Sequence, residues 1–323
     1  MRLPSPRQRG RKSSPPRFQY VGPSGRPIRD ARTLKRIASL AIPPAYEDVW
    51  ICTNPRGHLQ ATGRDVRGRK QYRYHADWRV ARDEHKHSRM LDFGKALARL
   101  RAGVRRDLQR PGLPREKVLA LVVKLLDATQ VRVGNAEYAR SNGSFGLTTL
   151  RDRHARFPKS GQALLHFRGK GGTEHDVVVD DARLAKLVRR CQELPGQALF
   201  QYLDDGGKRH AIDSGMVNDY LRERMGGEFT AKDFRTWHAT LHALTLLGDL
   251  PLPERRSERA LRQCMNSVVK DVATGLRNTP AVCRKSYINP AVFVAWQNGA
   301  LRRAARGRGR NATARALLAL LRK

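Results

Sequence analysis

An excess of 35 positive charges stands between this sequence and any compact fold. The 323 residues hold 64 lysines and arginines against 29 aspartates and glutamates, and the isoelectric point is near 11.3. Like charges gathered into one globule repel, so the folded chain calls for a polyanionic partner. Nucleic acid meets that need, because each phosphate neutralised by a lysine or arginine releases a counterion. Two blander readings compete with it: a basic protein that is merely soluble, and one that lies on anionic lipid. No apolar run reaches the roughly 20 residues that span a bilayer. The opening MRLPSPRQRGRKSSPPR lacks the apolar stretch of a secretion signal. We therefore expect no membrane partner, and a chain that resides wherever the DNA is. A hydrophobic content of 40% leaves enough apolar surface for one large core or two domains.

Metal- and nucleotide-driven chemistry find little support. Cys52, Cys191, Cys264 and Cys283 are isolated from one another and read as free thiols of a reducing compartment. His85 and His87 sit in the charged run DEHKH, the pattern of a solvated face. His238 and His242 share an i, i+4 spacing, but no HExxH surrounds them. The phosphate cradle GxxxxGK[ST] does not occur. We expect neither a metal nor a cofactor.

The chain divides by pattern. Residues 1–17 are rich in Pro, Ser, Arg and Lys and are expected to stay disordered until they meet DNA. From Phe18 to about Arg82 the signals are short strands and turns, with VWICT, the turn NPRG and HLQAT forming a hairpin. A boundary near Arg82–Arg89 separates this β-rich domain, residues 18–85, from a larger and mainly helical one, residues 86–296. Phe93, Leu97, Leu100, Val104 and Leu108 repeat at the helical period. REKVLALVVKLLD, opened by Pro114, is apolar on most faces and predicts a buried helix. Gln162–Val179 predicts a hairpin around Gly169-Lys170-Gly171-Gly172. Further helices are expected over Ser214–Met225, Lys232–Leu247 and Arg256–Val272, with Thr230 and Asp233 as a capping box for the second. Residues 297–323 form a basic tail, with the linker LRRAARGRGR and a short amphipathic helix.

A few residues stand out together, although none does alone. Arg132 lies in TQVRVGNAEYA, just after the buried helix, and Lys170 tips the glycine-flanked hairpin. Lys232 and Arg235 lie in KDFRTWHAT at a helix N-terminus, where a phosphate is welcome. Asn278 begins NTPAVCRKSY and Tyr287 ends it. Taken singly, any such arginine is more often a solvated or phosphate-steering charge, and a lone tyrosine is usually half-buried packing.

In order along the chain, VRVGN, FRGK, KDFRTWHAT and NTPAVCRKSY resemble the active-site motifs of type IB DNA topoisomerases, most closely the compact poxvirus-like form found in bacteria. GRKQYRYH resembles that family's DNA-facing segment, and the likeness runs from about Phe18 to Trp296. It implies an α+β fold in which the β-rich and helical domains form a C-shaped clamp around duplex DNA. It also implies a monomer in the bacterial cytoplasm, at the nucleoid. The activity implied is relaxation of supercoils by transient cleavage of one strand and religation, with no metal and no ATP.

By the same resemblance Tyr287 is the nucleophile and becomes joined to the 3′ phosphate. Arg132 and Arg235 clamp the nonbridging oxygens, a task suited to planar guanidinium groups. Lys170 protonates the departing 5′ oxygen with Lys232 as its partner, an acid made plausible where neighbouring cations lower its pKa. Tyr138 contacts a phosphate, and Gln71, Tyr72 and Tyr74 approach the major groove. Two positions depart from the family. Asn278 stands where many members carry histidine, and can donate a hydrogen bond but no charge. Asn135 and Glu137 replace lysines that help poxviral enzymes read their cleavage site, so site preference is expected to differ. A tyrosine recombinase is the alternative, but its arginine usually follows histidine in HxxR, whereas Lys232-x-x-Arg235 stands here. A DNA-packaging protein would explain the charge and not the motifs, and a metal-dependent nuclease lacks its acidic cluster.

Overall fold

Alternation builds the first unit. Along β1 (Glu47–Ile51), Val49 and Ile51 are buried while Trp50 between them faces out. The chain turns through NPRG into β2 (Leu59–Arg64) and again into β3 (Lys70–Tyr74), giving an antiparallel sheet in the order β1-β2-β3. Strands and turns do not account for the whole segment. Ala31–Ser39 forms a helix, α1, capped by Asp30, whose carboxylate accepts from the Thr33 amide at 2.7 Å. Only Ile37 of α1 is fully buried, too thin an apolar face to register as a periodic pattern. Its arginine does the joining instead: Arg36 donates to Gln60 Oε1 and to the Cys52 carbonyl, both at 2.8 Å. Ile37, Val49, Ile51 and Ala61 form this unit's core.

The computed structural model describes residues 19–66, 68–301 and 310–322, without the side chains of 79–87, 310 and 311. The disorder expected of residues 1–17 concerns residues outside this set, and the side chains of His85 and His87 and most of the linker after Leu301 lie outside it too. The chain separates into two packed units between Lys86 and His87, inside a continuous 33-residue helix, α2 (Ala76–Leu108).

The second unit is built around α3 (Arg115–Thr129), in which Val118–Val123, Leu125 and Leu126 are all buried. Pro114 stands at its N-cap, one place earlier than the first helical position. From α2 the stripe Phe93, Leu97, Leu100 and Val104 enters the same core. After α4 (Ala136–Asn142), a small sheet of β4 (Ala155–Arg156), β5 (Ala163–Arg168) and β6 (Glu174–Val179) forms, the last two being the hairpin that carries Lys170. Then come α5 (Ala182–Gln192), the short pair β7 (Gln201–Leu203) and β8 (Arg209–Ala211), and α6 (Ser214–Met225). The last part contains α7 (Ala231–Asp249), α8 (Glu258–Leu276), α9 (Pro280–Ser286) and α10 (Ala291–Gln297). Asp233 caps α7 by accepting from the Thr230 amide at 2.8 Å and hydroxyl at 3.0 Å. The terminal helix Arg310–Leu321 packs on α7 and α10 and buries Leu317. The fold is α+β, mainly helical, with small antiparallel sheets.

A glycine in the interior of α2 needs a reason, since it costs about 1 kcal/mol against alanine. At Gly94 a Cβ would lie 2.5 Å from the Trp237 ring of α7 and 2.7 Å from Leu318 of the terminal helix. We predict that Gly94→Ala lowers stability by about 1–3 kcal/mol, the usual cost of overpacking a filled core. Thermal denaturation measures this, and an unchanged or raised midpoint would mean that the three helices are not pressed together here.

The four cysteines are unpaired, Cys191 and Cys283 being buried. Among the described residues no helix is long and apolar enough to cross a membrane, and no three His, Cys, Asp or Glu side chains converge to hold a metal.

Candidate active site

Arg132 takes its place from the end of α3. The helix stops at Gln130, a left-handed C-cap (φ 59°), and the next residues run beside the loop 146–148. The Leu147 amide donates to the Arg132 carbonyl at 3.0 Å, and the Thr148 amide to the Val133 carbonyl at 2.7 Å. A Cβ at Gly146 would meet the Gly134 nitrogen at 2.5 Å and the Arg132 oxygen at 2.6 Å, so only glycine allows this approach. The Arg132 side chain is half-buried.

Arg235 projects from the first turns of α7 and is 4% exposed. One terminal nitrogen donates to the Gln130 carbonyl and the other to the Leu276 carbonyl at 2.9 Å. Both acceptors lie at the carboxyl ends of helices, α3 and α8, where unpaired carbonyls carry partial negative charge. The guanidinium carbon lies 5.2 Å from the centroid of the Tyr287 ring, and Nε is buried without a partner. Its position is shored up from below. On α7, His238 Nε2–H donates to Asp127 at 2.9 Å, and Arg101 of α2 donates to the same carboxylate at 2.9 and 3.1 Å. Burial alone would raise the Asp127 carboxyl, but His238 and Arg101 hold it well below the usual carboxylate range.

Tyr287 caps the short helix α9, whose start is marked by Thr279 and by Pro280 at the first position. Its amide donates to the Cys283 carbonyl at 2.9 Å. Fully buried Thr240 of α7 secures the exit, donating to the Tyr287 carbonyl at 3.2 Å and accepting from the Asn289 amide at 3.0 Å. Burial pushes the Tyr287 phenol up, but the charge and hydrogen bond of Arg235, with the charges of Arg132 and Lys232, bring it below its ordinary value. For Arg132, burial first and the Arg235 charge second lower the guanidinium's pKa, with Tyr287 acting the other way. Two cations, one buried and one half-buried, that repel each other beside a phenol make a site whose energy an anion lowers.

Asn278 joins this group. Its Oδ1 accepts from Arg132 at 3.3 Å, and its Nδ2 is buried with no hydrogen-bond partner, a donor still to be used. Lys232 is exposed one turn before Arg235, and its charge bears on the Tyr287 phenol. Lys170 is exposed in the turn between β5 and β6. Tyr138 is 47% exposed on α4. Asn135 and Glu137 serve local structure: Asn135 caps α4 by accepting from the Tyr138 amide at 3.1 Å, and Glu137 meets Arg140 at 3.5 Å.

In the first unit, Tyr72 and Tyr74 share one face of β3 with parallel rings 6.1 Å apart, and Trp78 stacks on Tyr74 at 4.4 Å. Gln71 belongs to the opposite face and donates to Asp65 at 2.9 Å in the β2–β3 turn, so the strand does not bring it together with the two tyrosines. Thr240, Asp127 and the carbonyls of Gln130 and Leu276 escaped sequence reasoning. The i, i+4 pair Thr236 and Thr240 inside KDFRTWHAT was the available signal for the first, and main-chain acceptors leave none.

Comparison with known proteins identifies the family. The family model described as "Eukaryotic DNA topoisomerase I, catalytic core" matches residues 75–297, and "Bacterial DNA topoisomerase IB, N-terminal domain" matches residues 17–65. The chain is 32% identical over 272 residues to DNA topoisomerase 1B of Acanthamoeba polyphaga mimivirus, covering 83% of this chain and 81% of that protein. It is 23% identical to DNA topoisomerase 1B of Vaccinia virus (strain Copenhagen) over 259 residues, 77% of this chain and 75% of that one. With a family model over residues 75–297, a second over residues 17–65 and a relative matched along most of its length, the chain belongs to the type IB DNA topoisomerases.

Proposed function

We propose that this chain relaxes supercoiled duplex DNA by cutting one strand through Tyr287 and rejoining it. The observation that carries the reading is a phenol under the guanidinium of Arg235, within the field of Arg132 and Lys232, held below its ordinary pKa in spite of burial. A phenolate favoured in this way attacks phosphorus, forming the Oη–P bond as the P–O5′ bond breaks. The phenolic proton passes to solvent, and Lys170 returns a proton to the departing 5′ oxygen. Arg132 and the free Nδ2–H of Asn278 meet the nonbridging oxygens, where negative charge builds, and Arg235 supplies fixed positive charge beside them.

One phosphodiester replaces another, so the energy of the cut strand is kept in the phosphotyrosyl bond and religation is nearly isoenergetic. The charge that a metal would supply comes from side chains, and no step consumes ATP. Around this chemistry the two units close on the duplex as a clamp, with Tyr72 and Tyr74 toward the major groove and Tyr138 at a phosphate. The downstream end, held only by electrostatic contacts, swivels about the intact strand until the 5′ hydroxyl returns. Purified protein incubated with supercoiled plasmid in EDTA without ATP is expected to produce a ladder of partly relaxed topoisomers. Plasmid that remains supercoiled across a range of salt concentrations would overturn the proposal.

A further inference from the structure

Three consecutive residues at the end of α8 each hold a different part of the site. The Leu276 carbonyl accepts from Arg235 at 2.9 Å, and Asn278 Oδ1 accepts from Arg132 at 3.3 Å. Between them Arg277 reaches across to the hairpin, donating from one terminal nitrogen to the Glu174 carbonyl and from the other to the Asp176 carbonyl at 3.2 Å. Glu174 begins β6, directly after Thr173, whose carbonyl closes the Lys170 turn by accepting from the Gly169 amide at 2.7 Å. The grip is therefore four residues from Lys170, on the strand that leaves its turn.

The backbone is arranged to make this reach. Arg277 is the C-cap of α8 in the left-handed region (φ 50°), a conformation that favours glycine. An arginine placed there tolerates strain that glycine would avoid. The same strand carries His175 beneath the tip, stacked on Phe167 at 4.8 Å. Burial, followed by the charges of Arg277, Arg132 and Arg235, brings this imidazole down to about 4, so near neutral pH it is uncharged and does not repel the guanidinium above it.

We propose that Arg277 is a positioning residue that fixes the β5–β6 hairpin to the α8 corner and thereby sets Lys170 over the leaving oxygen. This rests on the reading of Lys170 as the acid that serves the 5′ oxygen. Arg277 acts on the hairpin through main-chain carbonyls and touches no reacting atom. It links the lysine that acts on the leaving group to the residues that hold Arg132 and Arg235.

The test uses Arg277→Gly, which accepts the left-handed backbone and removes only the guanidinium reach. Single-turnover cleavage would be measured for the native chain, Arg277→Gly, Arg277→Lys, Lys170→Ala and the Arg277→Gly/Lys170→Ala double variant. Each would be tested on a strand with the ordinary 5′ bridging oxygen and on one with sulfur there, since a thiolate leaves without a proton. On oxygen, Arg277→Gly is expected to be about 10–100-fold slow, the scale of a small misplacement of a reacting group. Arg277→Lys, which can reach one of the two carbonyls, should recover part of that loss. The double variant should match Lys170→Ala within about twofold, because the lysine that Arg277 positions is already gone. Sulfur should restore both single variants to near the native rate.

Independent, multiplying losses in the double variant would overturn the proposal. So would sulfur that rescues Lys170→Ala and leaves Arg277→Gly slow, which would place the defect at Arg235 or Asn278. A double variant no slower than Lys170→Ala, with sulfur rescuing neither single variant, upholds the positioning by Arg277 and removes the leaving-group role of Lys170.

Discussion

Tyr287→Phe is expected to bind duplex DNA as the native chain does, yet to relax none of it and form no covalent adduct. The substitution removes one oxygen. Its main-chain contacts, the amide to Cys283 and the carbonyl to Thr240, do not involve the hydroxyl, whose loss removes only the hydrogen bond with Arg235. The ring also keeps its place under Arg235. The fold and the positive surface should therefore survive, while the only atom able to form the Oη–P bond is gone. Relaxation should fall to the detection limit, and filter binding should stay near the native level. In the native protein, mass spectrometry of adducts trapped by denaturation should find the nucleotide on Tyr287. The sequence contains eight tyrosines, and attachment to any of the other seven would sink the assignment.

The second large effect is expected at Arg132. Replacing it by alanine should slow single-turnover cleavage by about 10²–10³-fold, the usual cost of removing a donor aimed at developing oxyanion charge. Asn278→Ala should cost nearer 10-fold, because a neutral hydrogen bond contributes roughly 1–1.5 kcal/mol against more for a charged one. The two sites are also coupled. Asn278 Oδ1 steadies Arg132 at 3.3 Å, so part of the asparagine's effect passes through the arginine. The double variant should then be less damaged than the product of the single losses predicts. Rates measured on one suicide substrate decide the matter. Asn278→Ala proving slower than Arg132→Ala would reverse the roles given to them.

Much of the fold was legible along the chain because its signals are local. The α3 run from Arg115 to Thr129 is apolar on most faces, the β5–β6 hairpin is marked by two strand-like runs about a glycine turn, and α6 starts and stops where its caps stand. The α1 helix was not legible, since its apolar face is little more than Ile37 and its attachment is made by Arg36 to Gln60 and Cys52. Family membership was legible too, because the ordered motifs bring together residue types that chance seldom assembles, and matches over both units decide against the recombinase alternative.

Within the site the division is just as plain. Arg132, Arg235, Asn278 and Tyr287 could be picked out as candidates from residue type and order along the chain. Their mutual arrangement could not, because it depends on atoms that carry no residue-specific mark. Arg235 is held by carbonyls 105 and 41 positions away, which are free only because α3 and α8 end beside α7. Tyr287 is secured by a threonine 47 residues earlier, and Gln71 parts from Tyr72 and Tyr74 because neighbouring residues of a strand face opposite ways. Residue type and periodicity are properties of short stretches, and from them the sequence alone determined the elements, the family and the candidate chemistry. Which helix ends meet, and which carbonyls they leave for an arginine, depends on packing among distant segments, and that only the tertiary structure decided.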